Sequence, residues 1–214
     1  MIAPEGKWIC GLSFLIAIFL LALFYFSETN IILNVFLIVS IIETFFCLYF
    51  FRDPKRDVIS SNKRIISPAD GKVVRIINAS DDQMGEVCIV SIFLSVFNVH
   101  RQWIPINSKV LDCQYNKGTF LGAFFDKASD KNEQHITYFE THFGNYKVKQ
   151  IAGFIARRII NYMSPLQKVS AGDNLGFIRF GSRVDVILPE SCTINVSVGD
   201  KVSGCRTILG EFNE

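Results

Sequence analysis

Two long apolar segments near the N-terminus constrain the fold of this chain more than any other feature. The first covers residues 8–26 and holds no charged residue, and the second covers 31–51 with Glu43 as its one charged residue. As a helix, the first would be about 28 Å long at about 1.5 Å per residue, close to the thickness of the hydrocarbon core of a bilayer. Only the sequence SETN separates the two segments. We therefore predict a two-helix membrane hairpin.

The flanks of these segments predict the topology. A cleaved signal peptide is the alternative for the first segment, but its apolar run is long for that role and Lys7 is the only basic residue before it. By the positive-inside rule, the basic residues after the second segment place the rest of the chain on the cytoplasmic side of the cell (inner) membrane. These cations either set the topology alone or also attract anionic lipid headgroups; they are Arg52, Lys55, Arg56, Lys63 and Arg64.

From about residue 58 the hydrophobic pattern changes to short segments, many of them separated by turn residues, which is typical of β-strands. Only residues 153–163 fit a helix, and a strand fits them nearly as well. We predict a membrane hairpin with its basic flank over 1–57 and a second domain over 58–214, which holds the candidate catalytic motifs described below. The fold class is mainly β (α+β), with a compact domain like the hybrid barrel-sandwich domains.

A weak internal repeat supports a compact sandwich. VSAGDNLG at 169–176 is echoed by VSVGDKVSG at 196–204, and Gly-Asp turns between apolar strands suggest two similar hairpins that face each other. Chance similarity between two turns is the alternative. The turns also resemble those of lipoyl-carrier domains, but no lysine occupies the carrier position, so a swinging-arm role is not supported.

The cysteines and histidines give no sign of a metal site. The six cysteines form no C-x-x-C pair, which argues against a zinc ribbon and a thioredoxin-like motif. A reducing compartment agrees with the predicted topology. We expect no metal ion and no nucleic-acid partner.

Three short motifs are candidates for a catalytic site. They are SPADGKV with Asp70, SIFLSVFNVHRQWIP with His100, and the pair Gly181-Ser182 within a predicted strand. Each also has a purely structural interpretation: an Asp-Gly turn, a structural histidine and a β-bulge.

Taken together and in this order, the motifs S-P-A-D-G, F-x-S-x-x-x-V-H-x-x-x-x-P and F-G-S-x-V-D resemble the short form of the phosphatidylserine decarboxylase family. The resemblance covers residues 52 to about 210 and includes KASDKNEQ and QIAGFIARRI. It implies a proenzyme that cleaves itself between Gly181 and Ser182, with Ser182 becoming a covalent pyruvoyl group. The products would be a β chain, 1–181, and an α chain, 182–214, which stay together.

The resemblance also implies the partners of Ser182. Asp70 and His100 match the aspartate and the histidine of the family, and an imidazole oriented by a carboxylate is a suitable base for a serine hydroxyl. Longer members carry H-x-x-H, whereas Phe97 occupies the first of these positions here. His100 would then serve more than one role, and Phe97 would line the lipid site.

The implied reaction is the decarboxylation of phosphatidylserine in the bilayer to phosphatidylethanolamine, which starts when the pyruvoyl carbonyl condenses with the serine amine. Two alternatives remain: a decarboxylase of another lipid with a phosphoserine headgroup, and a membrane-anchored carrier or scaffold without activity. The sequence leaves a homodimer open. It also leaves the phosphate ligands open, with Arg157, Arg158 and Arg179 as possibilities.

Overall fold

The computed structural model describes residues 1–26, 30–59, 63–118, 132–153, 158–179 and 182–213. These residues form two compact units, an N-terminal unit over Met1–Lys55 and a C-terminal unit over Arg56–Glu214.

The N-terminal unit is helical. It contains a short 3-10 helix and two long α-helices, and the side chain of Asn30 caps the second long helix by accepting the N–H of Ile32 at 2.9 Å. The elements are Pro4–Gly6, α1 (Lys7–Phe26) and α2 (Ile31–Phe50). Both long helices are apolar and long enough to cross a bilayer, and most of their residues are exposed. These properties are compatible with membrane association.

Small polar side chains are buried in both helices. Ser13, Ser40 and Thr44 are each almost fully buried, and each hydroxyl donates to a backbone carbonyl of its own helix. No hydroxyl in this group is therefore left without a partner, as an apolar environment requires.

The C-terminal unit is built from antiparallel β-strands, so the prediction of a mainly β domain after two apolar helices is confirmed. A curled sheet has the order β13-β2-β3-β11-β7-β6-β5-β9, and two small sheets have the orders β1-β14-β12 and β4-β10-β8. The strands are β1 (Arg64–Ile66), β2 (Gly71–Asp81), β3 (Gly85–Leu94), β4 (Arg101–Trp103), β5 (Ser108–Asn116), β6 (Gln134–Thr141), β7 (Gly144–Ala152), β8 (Ile159–Asn161), β9 (Lys168–Val169), β10 (Asn174–Ile178), β11 (Ser182–Pro189), β12 (Thr193–Ile194), β13 (Lys201–Val202) and β14 (Ile208–Glu211).

Strand β11 lies near the middle of the large sheet and is buried on both faces. Val184, Val186 and Leu188 belong to the main apolar core, to which the two small sheets also contribute. On the opposite face, Arg183 and Asp185 are also buried and form an ion pair at 2.7 Å. The alternation of apolar and charged residues therefore marks a strand, although its charged face is shielded from solvent as well.

The two Gly-Asp turns have the same local structure. In each, an aspartate carboxylate accepts the N–H of the serine three residues earlier, and the glycine adopts a positive φ, 85° at Gly172 and 105° at Gly199. The expectation of two hairpins is wrong, however. The strands that flank the first turn, β9 and β10, lie in different sheets, and β13 pairs with β2.

The ambiguous segment 153–163 contains strand β8, so its described part favours the strand interpretation. Residues 154–157 lie outside the described residues.

Candidate active site

Ser182 is the first residue of β11, between two neighbouring strands. It lies opposite Leu94 of β3 and Ala152 of β7. Its Oγ is buried and has no hydrogen-bond partner among the described residues. Leaving a buried hydroxyl unpaired costs about 1–3 kcal/mol, so such a group calls for an explanation. The other half of the predicted cleavage site, Gly181, lies outside the described residues.

His100 is held close to the same end of the sheet. It follows the turn after β3, and its carbonyl accepts the N–H of Ile178, four residues before Ser182, at 3.3 Å. The residue is fully buried, and its Nδ1 lies 3.0 Å from the carbonyl oxygen of Asn98. Because a carbonyl can only accept, this contact fits a ring whose Nδ1 carries a proton, which makes Nε2 the candidate basic nitrogen.

Asp70 ends the SPAD turn, which runs beside the strand that follows His100. Ile66 donates to Pro105 at 3.0 Å, and Trp103 donates to Pro68 at 2.9 Å. With these two bonds, the turn runs antiparallel to β4, and Asp70 follows Pro68 in the direction of Arg101 and His100. The motif residues Asp70, His100 and Ser182 are thus carried by neighbouring segments of the C-terminal unit.

The carboxylate of Asp70 has a defined set of partners. Among the described residues these are the guanidinium of Arg56, the N–H of Gly204 and, at 3.5 Å, the hydroxyl of Ser203. A direct bond to His100 is not one of them, and the Asn98 carbonyl contacts His100 Nδ1 instead. The orienting role of Asp70 on His100 stays a prediction.

The structure does not support the predicted contact of Arg56 with anionic lipid headgroups. Its side chain is only 8% exposed, so it is not available to attract a lipid headgroup. Near it, burial raises the pKa of the Cys205 thiol to about 11, which keeps this sulfur protonated at neutral pH.

A chain of buried amides supports the backbone at His100, and sequence analysis missed it. Gln102 Nε2 donates to the His100 carbonyl at 2.6 Å, and Gln150 Nε2 donates to Gln102 Oε1 at 2.9 Å. Asn161 Nδ2 lies 2.9 Å from both Gln150 Oε1 and Thr137 Oγ1. The sequence offers no clear signal of this network, because Gln150 lies in a strand that also carries Lys147 and Lys149.

The sequence also singled out Phe97 and three arginines. Phe97 is 66% exposed and sits in the turn between β3 and β4. Arg179 donates its N–H to the Arg158 carbonyl at 3.3 Å, so these two residues lie opposite each other at the ends of β10 and β8. Arg157 lies outside the described residues.

The histidines outside the motif show no metal site. Burial lowers the pKa of His135, whose Nδ1 is buried without a partner in the described part of the chain. No group of three or more His, Cys, Asp or Glu residues that could bind a metal ion occurs among the described residues.

Comparison with known proteins identifies similar chains. A model of the phosphatidylserine decarboxylase family matches residues 44–210. The phosphatidylserine decarboxylase proenzyme of Neisseria gonorrhoeae (strain NCCP11945) is 44% identical over 171 residues, which are 79% of this chain and 66% of that protein. The proenzymes of Burkholderia mallei (strain SAVP1) and Burkholderia pseudomallei (strain K96243) are each 43% identical over 171 residues, 79% of this chain and 79% of each relative.

Proposed function

The chain belongs to the phosphatidylserine decarboxylase family, and on this premise we propose that it converts phosphatidylserine to phosphatidylethanolamine and carbon dioxide with a pyruvoyl group made from its own Ser182. The observation that carries the proposal is the buried, unpaired Oγ of Ser182 at the start of β11. A hydroxyl in this state is not stabilising the fold, and it fits a nucleophile that is consumed during maturation.

Maturation starts with a proton transfer. Nε2 of His100 accepts the hydroxyl proton of Ser182, and Oγ attacks the carbonyl carbon of Gly181. The peptide bond is replaced by an ester, and the amine of Ser182 is released. Elimination breaks the Cβ–Oγ bond and leaves the Gly181 carboxylate as the new C-terminus of the β chain. Hydrolysis of the resulting dehydroalanine releases ammonia and leaves the pyruvoyl group at residue 182.

The sheet explains why the α chain would stay bound after the cut. Strand β11 belongs to the α chain, and its neighbours β3 and β7 both belong to the β chain. Residues 182–189 would stay paired with β3 and residues 182–187 with β7, and the apolar core is shared across the cut.

In the mature enzyme, the start of β11 would hold the pyruvoyl group at residue 182, and this group would supply an electron-withdrawing carbonyl for decarboxylation of the serine headgroup. The His100 carbonyl accepts the N–H of Ile178, four residues before Ser182, and His100 is the candidate proton donor to the product carbon. Phe97, exposed in the turn before His100, is the candidate apolar contact of the lipid.

Arg158 and Arg179 are candidate ligands of the substrate phosphate. Their backbones lie opposite each other at the ends of β10 and β8, and Arg179 precedes Ser182 by three residues.

We place the protein in the cell (inner) membrane, with the C-terminal unit on the cytoplasmic side. Two apolar helices and the basic residues that follow them support this location. An enzyme anchored in the bilayer that contains its substrate works at a high local substrate concentration. The lipid bilayer is its partner, and a homodimer is compatible with the proposal.

The proposal is tested by carbon dioxide release from phosphatidylserine in vesicles. Ser182→Ala should give an unprocessed chain without activity. Ser91→Ala is a matched control, because the Ser91 hydroxyl on neighbouring strand β3 is also buried and unpaired among the described residues. The control should be processed and active. Normal decarboxylation by Ser182→Ala would disprove the pyruvoyl mechanism. Faster decarboxylation of a lipid with the same headgroup on a different backbone would show that this lipid, and not phosphatidylserine, is the substrate.

A further inference from the structure

The side chain of Arg56 is at the centre of a buried polar cluster that includes Asp70. Its Nη1 and Nη2 contact Asp70 Oδ1 and Oδ2 at 2.5 and 2.6 Å. Nη1 also donates to the hydroxyl of Ser203 at 2.9 Å and to the carbonyl of Gly204 at 2.8 Å. The guanidinium carbon lies 4.7 Å from the centre of the Trp103 ring. Arg56 therefore touches three separate segments of the C-terminal unit.

The geometry of this cluster requires a guanidinium. Two parallel N–H bonds to one carboxylate fix both the position and the plane of that carboxylate. A lysine has a single nitrogen, so it cannot reproduce the two-pronged contact and also reach Ser203 and Gly204. More than nine-tenths of the Arg56 side chain is buried, so water cannot replace it easily.

The cluster leaves one side of Asp70 available. Oδ1 accepts from Arg56, from Gly204 at 2.9 Å and weakly from Ser203, whereas Oδ2 accepts only from Arg56 among the described residues. Each carboxylate oxygen has two lone pairs, so Oδ2 has room for another donor. Trp103, which packs on Arg56, lies three residues after His100 in the chain. The cluster thus fixes Asp70 relative to the strand that follows His100.

We propose that Arg56 is a positioning residue for self-cleavage, acting through Asp70. The proposal rests on the function proposed above, because it assumes that cleavage precedes Ser182 and needs Asp70. Arg56 holds the carboxylate in one orientation, so that it is in place when His100 gains the proton of Ser182. Ser203 and Gly204 would belong to the α chain and Arg56 and Asp70 to the β chain, so the cluster also connects the two products.

The test is the time course of precursor cleavage in the full-length chain, made by cell-free synthesis in the presence of lipid nanodiscs. Arg56→Lys should slow cleavage by at least about tenfold, the loss expected when one charged hydrogen bond is broken. Arg64→Lys is the matched control. Arg64 also pairs across the predicted cut, with Glu211 at 3.1 Å, but both side chains are more than 40% exposed, so its cleavage rate should equal that of the wild type.

Two further measurements separate positioning from general stability. Millimolar methylguanidinium should partly restore cleavage in Arg56→Gly but not in Asp70→Ala. In the double variant Arg56→Ala/Asp70→Ala, cleavage should be no slower than in Asp70→Ala alone, because Arg56 acts through Asp70.

Wild-type cleavage by Arg56→Lys, or losses that multiply in the double variant, would overturn the proposal while leaving the proposed function intact. Failure of the proposed function looks different, because the wild-type chain itself would then not cleave before Ser182.

Discussion

The chemistry proposed for this chain depends on single residues. Ser182 and Ser91 have the same side chain and the same buried, unpaired state, yet only Ser182 lies at the start of its strand, four residues after the partner of the His100 carbonyl. Reactivity is therefore expected of a buried, unpaired hydroxyl only where the His100 segment also lies beside its strand. His100 is the neighbour that can be tested.

Replacement of His100 by alanine removes the proposed base, so the chain should remain uncleaved. Loss of a general base slows a reaction by about 100-fold to 10,000-fold. His142→Ala serves as the control, because His142 is near the β6–β7 turn and outside the motif. Gel analysis of the purified variants distinguishes the uncleaved chain from the two fragments. Complete cleavage of His100→Ala would show that another group is the base.

The residues of the candidate site differ in how far they can be identified from the sequence. Ser182, Asp70 and His100 stand in short motifs, and a motif is readable without knowing the fold. The contacts of Arg56 could not be predicted from the sequence, because its hydrogen-bond partners lie 14 and 147 positions away and come together only in the folded chain. Its position after the apolar segments suggested a contact with lipid headgroups, whereas its side chain is buried in the structure.

At the scale of elements, the end of β2 is fixed to β7 by an ion pair. Lys147 Nζ contacts both carboxylate oxygens of Asp81 at 2.7 and 2.8 Å and lies over the Tyr138 ring. Burial alone would raise the pKa of Asp81, but the bonds from Lys147 and from the N–H groups of Gln83 and Met84 outweigh it and lower this pKa. The ion pair should therefore stabilise the fold in a pH-dependent way.

Lys147→Met should lower the free energy of unfolding by about 1–3 kcal/mol at pH 7, because it leaves the carboxylate with fewer donors. The pKa of Asp81 is lower in the folded state, so this stabilisation is full above the unfolded value of about 3.9 and is lost as the pH falls through the folded value. The difference between wild type and variant, followed by thermal unfolding, should shrink below about pH 4.

The exposed pair of Arg64 and Glu211 provides the comparison for this prediction. Arg64→Met should change stability by less than about 1 kcal/mol. An equal loss for Lys147→Met at all pH values would mean that packing against Tyr138, and not the ion pair, is what matters.

The long strands were predictable from the sequence and the short ones were not. Strands β2, β3, β5, β6, β7 and β11 each carry enough apolar residues to show their pattern. Strands β9 and β13 have two residues each and exist through pairing with distant segments. The same cause explains why the Gly-Asp turns join different sheets, since a local sequence contains no information on its long-range partners.

At the scale of the whole molecule, the proposed function assigns separate tasks to the two units. The chain 56–214 contains the motif residues and the Arg56 cluster, so we expect it to cleave itself without the N-terminal unit. Its decarboxylation of phosphatidylserine in vesicles should fall at least about tenfold, because the anchor raises the local substrate concentration. Activity on substrate in detergent micelles should stay close to that of the full chain. Equal rates on vesicles would show that the N-terminal unit does not serve as an anchor.

The division into an apolar N-terminal part and a mainly β C-terminal part could be predicted because composition changes abruptly near residue 55. The curl of the large sheet and the assignment of strands to three sheets could not, because they depend on packing between segments far apart in sequence.

The most direct test of the central claim is the intact mass of the purified full-length protein. We predict two chains, 1–181 and 182–214, with the smaller one lighter by one ammonia than its sequence and without a free N-terminal amine. A preparation that decarboxylates phosphatidylserine as a single chain of 214 residues would contradict the account. A small fragment that begins with an unmodified serine in an active preparation would also contradict it.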